Sequence, residues 1–204
     1  WAETVPYTLR NPLYHWTHLE LNTAFGIEKL LSPKTAREIF DECNEKLKLP
    51  EFSARGLMKH YHVECVCTTD DPVDDLHNHI EYARHKAADD PMMIPAWRPD
   101  KAMNIEKPEF AAYVNELAHV SGNMEIRKFA DLVDALQKRH DFFAANGCKL
   151  SDHGIEEFYD EEYTDSQIET IFEKAMRGQR LSQLEIRQYK NCFLTVMAEM
   201  DADA

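Results

Sequence analysis

Three short apolar runs along the chain each end in a cluster of ionisable or turn-forming residues. They occupy residues 63–68, 91–97 and 148–150. The middle run lies between two prolines and is too short for a helix, so it predicts a buried strand that reaches the surface at Arg98 and Asp100. The other two runs predict strands that end at Thr69-Asp70-Asp71-Pro72 and at Ser151-Asp152-His153-Gly154.

The spacing of these runs is typical of parallel strands joined by helices. About 28 residues separate the first strand end from the second, enough for one crossover helix, and about 54 separate the second from the third. Parallel α/β proteins carry their chemistry on loops at the carboxyl ends of strands. We therefore expect the three strand tips to form one rim of a site.

Helical periodicity accounts for most of the remaining chain. Residues 1–61 are predicted to form a helical subdomain, and residues 62–204 to alternate strands with helices. Asp71-Pro72 is a suitable helix start, and capping boxes at Thr164 and Ser182 predict two final helices. The predicted helices cover roughly 14–25, 32–50, 51–61, 72–83, 108–121, 126–146 and 183–200, with one more helix starting after Thr164.

Composition narrows the function class. The 204 residues, 44% of them hydrophobic, suffice for a sizeable core. A formal charge of −14 opposes binding to nucleic acid or to anionic membranes, and no apolar run approaches the roughly 20 residues of a membrane-spanning helix. Five cysteines without a CxxC pair, and no signal-peptide pattern, favour a reducing cytoplasm. Because the chain opens on Trp1, we expect a piece of a longer protein.

Arg98 is the sharpest candidate for ligand binding. Fixed between Trp97 and Pro99, it offers a rigid fork for a carboxylate, although a structural ion pair with Asp70 or Asp152 would also hold it at the strand end. Asp70, Asp152 and His153 are further candidates for substrate contact. Their alternative roles are turns and ion pairs, and capping is the favoured role for Asp71.

A metal site is not predicted within the chain. The ten histidines include close pairs, but these lack a companion set of ligands, and zinc-hydrolase motifs such as HExxH are absent. His77 and His79 fall on different faces of a predicted helix and are expected to be solvated. Cys65 and Cys67 share one strand face and are expected to be small, buried packing residues.

Several longer strings resemble the uronate isomerase family of the amidohydrolase superfamily. They are residues 11–21, 67–74, 95–100, 131–134 and 150–158, in the family's order. The resemblance implies a (β/α)8 TIM barrel with a helical insertion. Residues 1–61 would be the insertion, and residues 62–204 a partial barrel of about three parallel strands. It also implies that Arg98, in the Trp-Arg-Pro-Asp motif, contacts substrate.

The resemblance further implies conversion of D-glucuronate to D-fructuronate and of D-galacturonate to D-tagaturonate. The superfamily's metal ligands have no counterpart here, so catalytic groups, and a possible divalent metal such as zinc, are expected elsewhere in a longer enzyme, which could be a homo-oligomer. Two alternatives remain: a hydrolase of the same superfamily, or a non-enzymatic helical interaction module if the chain is complete. An isolated barrel fragment should be marginally stable and inactive even with added zinc.

Overall fold

A computed structural model describes residues 1–202 and divides the chain into two compact units. The first contains Trp1–Glu64 and the short segment Ala87–Pro91. The second contains Cys65–Lys86 and the chain from Met92 onward. The first is helical, and the second combines a small parallel sheet with a helical layer, so the chain is a helix-rich α/β structure.

The first unit begins with a 3-10 turn at Val5–Tyr7 and contains helices α1 (Pro12–Phe25), α2 (Ala36–Lys46) and α3 (Ala54–His60). Asn11 caps α1 by accepting a hydrogen bond from the Leu13 amide at 3.0 Å. Gly26 ends the helix at φ 64°, a left-handed conformation that favours glycine. This stop agrees with the sequence prediction, whereas the helix starts two residues earlier than expected.

Two helix predictions in the first unit need correction. The helix expected over 51–61 is a 3-10 turn (Pro50–Phe52) followed by α3, because the extended Ser53 interrupts it and its hydroxyl caps the Gly56 amide at 3.1 Å. The helix expected from Ser32-Pro33 begins at Ala36. Its apolar stripe is only partly used, since Ile39 is buried while Phe40 is 61% exposed.

The second unit contains two short parallel strands, β1 (Cys65–Cys67) and β2 (Met92–Ile94), with Val66 opposite Met93. The predicted third strand over 148–150 is wrong as a regular strand. Parallel contact there is limited to one bridge between Trp97 and Ser151, and Leu150 is 38% exposed. Pairing is thus confined to the tip.

The second unit also contains six helices among the described residues, of which the first lies between the two strands and the other five follow them. They are α4 (His77–His85), α5 (Asp100–Met103), α6 (Phe110–Val120), α7 (Phe129–Ala145), α8 (Asp165–Met176) and α9 (Gln183–Ala202). The predicted helix start at Asp71-Pro72 is wrong. Leu76, at φ 54°, precedes α4, and the Asp71 carboxylate instead accepts hydrogen bonds from the Val73 amide and the Tyr113 hydroxyl.

The main core lies among α5 to α9 and the inner side of the second strand tip. Both predicted capping boxes are present: Thr164 with Gln167 opens α8, and Ser182 with Glu185 opens α9. Each fixes a helix start by satisfying backbone amides that have no partner within the helix. The largest fully buried side chains include Trp97, Leu132, Leu136, Phe143, Phe172, Tyr189 and Phe193.

Two predictions about burial on the β1 side are wrong. Cys67 is exposed and Cys65 is only half-buried, because the sheet face they share is partly open. His79, expected in solvent, is 8% exposed: the first turn of α4 turns it toward β1, where its Nε2 lies 2.7 Å from the Thr68 hydroxyl. Within residues 1–202, no helix has both the length and the apolar character needed to cross a membrane.

Candidate functional site at the strand tips

Backbone pairing brings the three strand tips side by side. Parallel bridges join Asp70 to Trp97 and Trp97 to Ser151. The Arg98 amide donates to the Asp70 carbonyl at 3.0 Å, and the Asp152 amide donates to the Trp97 carbonyl at 2.8 Å. The loops that follow the tips therefore leave from one edge, as the strand spacing predicts.

The Arg98 guanidinium lies between two carboxylates at this edge. Its Nε is 2.7 Å from Oδ2 of Asp100, and its Nη1 is 3.2 Å from Oδ2 of Asp152. The hydrogen bond to Asp100, followed by the attraction of the same carboxylate, raises the pKa of Arg98 above its ordinary value. The side chain is 36% exposed, so part of it is open to solvent.

Asp100 links the second and third tips. Its carboxylate accepts the Gly154 amide at 3.0 Å through Oδ1, while Oδ2 faces Arg98 Nε. Space here is limited, since a Cβ built on Gly154 would lie 2.6 Å from Asp100 Oδ2 and 3.0 Å from Arg98 Nη2. Sequence reasoning places Asp100 at the strand end but does not identify it as the partner of Arg98, and no local signal connects it to Gly154.

Asp70 is the most enclosed candidate at the rim. Its Oδ2 accepts hydrogen bonds from the Thr68 hydroxyl at 2.6 Å and the Ala96 amide at 3.1 Å. Oδ1 lies 3.7 Å from Nε2 of His79, and the side chain is 12% exposed. This carboxylate therefore connects the first tip to the second, and Arg98 forms its ion pairs with Asp100 and Asp152 rather than with Asp70.

His153 faces a different group of residues from Arg98. Its Nε2 lies 3.7 Å from Oδ2 of Asp201, near the end of α9, and that carboxylate also accepts the Ser151 hydroxyl at 2.5 Å. His140 Nε2 is 3.2 Å from Oδ1 of Asp201. His140, Ser151 and Asp201 line a cavity of about 360 Å³. Sequence reasoning misses Asp201 because about 50 residues separate it from the tip it contacts.

The described residues do not provide a metal site. Across residues 1–202, no cluster of three or more histidine, cysteine, aspartate or glutamate side chains is arranged to bind an ion. The chemistry of the rim is instead that of a fixed guanidinium flanked by carboxylates, an arrangement suited to binding a carboxylate or sugar oxygens.

Comparison with known proteins identifies relatives over the whole chain. The family model of glucuronate isomerase matches residues 1–204. Uronate isomerases from Bacteroides thetaiotaomicron and Phocaeicola vulgatus are 61% and 63% identical to it over 202 residues, and that of Cellvibrio japonicus is 50% identical over 203. Each match covers 98% of this chain but only 42% or 43% of the relative, so the chain spans less than half of their length.

Comparison with solved structures also finds matches over nearly the whole of this chain and less than half of each matched chain. A uronate isomerase from Thermotoga maritima matches with a TM-score of 0.89 at 35% identity, covering 99% of this chain and 44% of that one. A glucuronate isomerase from Caulobacter crescentus matches with a TM-score of 0.87 at 24% identity, covering 99% and 41%. The second likeness concerns the fold alone.

Proposed function

Because this chain belongs to the glucuronate isomerase family, we propose that it forms part of a uronate isomerase that interconverts aldose and ketose forms of a sugar acid. The substrates are D-glucuronate, giving D-fructuronate, and D-galacturonate, giving D-tagaturonate. The reaction moves a proton between adjacent sugar carbons through an enediol-like intermediate. The relatives are named uronate isomerases, which supports isomerisation over hydrolysis by a related amidohydrolase.

We propose that residues 62–204 are a segment of a (β/α)8 barrel and residues 1–61 its helical insertion. The parallel register of β1 and β2, and the parallel bridges to Trp97 and Ser151, support a barrel segment. In a barrel, the rim at the carboxyl ends of the strands carries the active site. The proton-transferring group, and a divalent metal such as zinc if the enzyme uses one, would come from other parts of the full-length enzyme.

The observation that carries the proposal is the position of Arg98 at this rim. Its guanidinium is held in place yet exposed enough for a uronate to contact it. Arg98 would bind the substrate carboxylate or a neighbouring oxygen. Asp152 would lie beside the bound sugar, whereas Asp70 and His153 would contact it only at the margins, given their engagement with Thr68 and Asp201.

The test is Arg98→Ala in the full-length isomerase, with kcat/KM measured for D-glucuronate. Loss of a charge-assisted contact should cost about 1.5–3 kcal/mol, which is roughly a 10- to 150-fold decrease. Arg177→Ala is the matched control, because Arg177 also pairs with a carboxylate, Glu173 at 3.1 Å, but at the exposed C-terminal end of α8. Equal kcat/KM in wild type and Arg98→Ala would refute the role.

Product analysis separates the proposed reaction from hydrolysis. The full-length protein should form ketouronate from D-glucuronate and should not cleave amide analogues. We further propose a cytoplasmic enzyme that acts without nucleic acid or a membrane and that can form homo-oligomers. Sedimentation of the full-length protein tests the last point.

A further inference from the structure

We propose that Asp100 is a positioning residue, which holds Arg98 by its Nε edge and directs the Nη nitrogens toward the substrate carboxylate. This inference rests on the proposed function. Asp100 would not contact the substrate itself but would act through Arg98 and the third tip.

The two carboxylates on Arg98 are not equivalent. Asp100 is closer, at 2.7 Å, and its side chain is 22% exposed, whereas Asp152 is 3.2 Å away and 45% exposed. An exposed ion pair in water contributes little and exchanges readily, while a more enclosed, charge-assisted hydrogen bond persists. A uronate carboxylate can therefore replace Asp152 on the guanidinium while Asp100 keeps its place.

The backbone that carries Asp100 is itself fixed. Pro99 precedes it, and the Asn104 amide donates to the Asp100 carbonyl at 3.0 Å, closing the single turn of α5. The same turn is tied to α9, because the Tyr189 hydroxyl donates to the Ala102 carbonyl at 2.8 Å and both groups are buried. A rigid support of this kind is what a positioning residue needs, since small displacements of a binding group cost activity.

Asp100 also couples Arg98 to the third tip. Its carboxylate accepts the Gly154 amide at 3.0 and 3.2 Å, so the loop after Asp152 cannot move without disturbing the acceptor of Arg98. The Asp100 carboxylate can approach this closely only because the residue at position 154 is glycine, which has no side chain. One carboxylate thus sets the relative position of two loops that would contact the same substrate.

A double-mutant cycle in the full-length isomerase tests the proposal. We expect Asp100→Ala to lower kcat/KM for D-glucuronate by about tenfold in the wild-type background and by a clearly smaller factor in the Arg98→Ala background, where only the contact with the Gly154 loop remains to be lost. Asp100→Asn keeps the side-chain shape and one acceptor oxygen, so its loss should be smaller than that of Asp100→Ala. The matched control is the cycle of Glu173→Ala with Arg177→Ala, which should change kcat/KM in neither background.

The outcomes separate this inference from the proposed function. If Arg98→Ala lowers kcat/KM but Asp100→Ala has the same effect in both backgrounds, Asp100 does not act through Arg98 and the inference fails alone. If Arg98→Ala has no effect, the role of Arg98 fails, and the inference with it. A general loss of structure is recognised by a lower melting temperature, in which case Asp100→Asn supplies the deciding cycle, because it retains the packing.

Discussion

A single methyl group at position 154 should impair activity without unfolding the protein. In Gly154→Ala, the new Cβ would lie 2.6 Å from Asp100 Oδ2 and 3.0 Å from Arg98 Nη2. The two atoms belong to the groups that we expect to position and bind the substrate carboxylate. Gly154 therefore offers a way to displace both without removing either.

The size of the effect follows from the required displacement. An ordinary contact to a Cβ is about 3.4 Å or more, so the Asp100 carboxylate, or the loop itself, must shift by close to 1 Å. Misplacement of a binding group by that distance can reduce activity by roughly 100-fold, and we expect a 10- to 100-fold loss in kcat/KM. The free energy of unfolding should change little. Replacing glycine by alanine reduces the entropy of the unfolded chain and so stabilises the folded protein by about 0.4–1 kcal/mol.

The assay compares kcat/KM for D-glucuronate with the melting temperature in two variants of the full-length isomerase. Gly178→Ala is the matched control, because Gly178 lies at φ 67° with open space around its Cβ position. Alanine there strains the backbone by about 1 kcal/mol without touching the rim. The expected pattern is reciprocal: Gly154→Ala loses activity and keeps stability, whereas Gly178→Ala keeps activity and loses stability.

Unchanged kcat/KM in Gly154→Ala would refute this reasoning, because it would mean that Asp100 and Arg98 tolerate displacement. A fall in melting temperature as large as that of Gly178→Ala would also contradict it. In that case the methyl group would be accommodated by disrupting the fold rather than by moving the two side chains.

Two further predictions concern stability. Arg139 is 8% exposed and donates hydrogen bonds to the carbonyls of Pro72 at 2.7 Å and Asp74 at 2.8 Å. Arg139→Met should therefore lower the free energy of unfolding, measured by urea titration, by about 2–4 kcal/mol. An unchanged urea midpoint would contradict this prediction. The hydrogen bond from Lys174 lowers the pKa of Glu185 to about 2. The stability that the ionised Glu185 contributes is therefore fully present above its unfolded pKa of about 4.3 and is lost as the pH falls toward 2. The difference in melting temperature between wild type and Glu185→Gln should shrink over that range, and a pH-independent difference would contradict the prediction.

Sequence reasoning succeeds where the signal is local. Thr164 and Ser182 are identified as helix starts because a capping box needs only four consecutive residues. The meeting of the three tips is likewise predictable, since it follows from short apolar runs separated by helix-length segments. The place of Arg98 at a strand tip is predictable in the same way, whereas its contact with substrate stays a prediction.

Contacts between residues far apart in the chain cannot be predicted from local sequence patterns. Asp71-Pro72 has the composition of a helix start, yet Asp71 is engaged by Tyr113, 42 residues away, and the helix begins later. Burial and the nearby Asp71 charge raise the pKa of Tyr113, so the hydroxyl stays a donor to that carboxylate. Asp100 and Gly154 are a similar case, in which a pair of ordinary turn residues acquires its significance only through tertiary packing.

The hydrogen bond from Tyr189 to Ala102 also determines when the rim can form during synthesis. The two residues are 87 positions apart, which corresponds to about 4 to 17 s of translation. Throughout that interval the turn carrying Asp100 lacks its buried anchor, and the aromatic core beside Trp97 lacks α9. A nascent chain that ends before Tyr189 therefore carries an aromatic core without its last helix, and a pause within this interval leaves apolar surface open to aggregation.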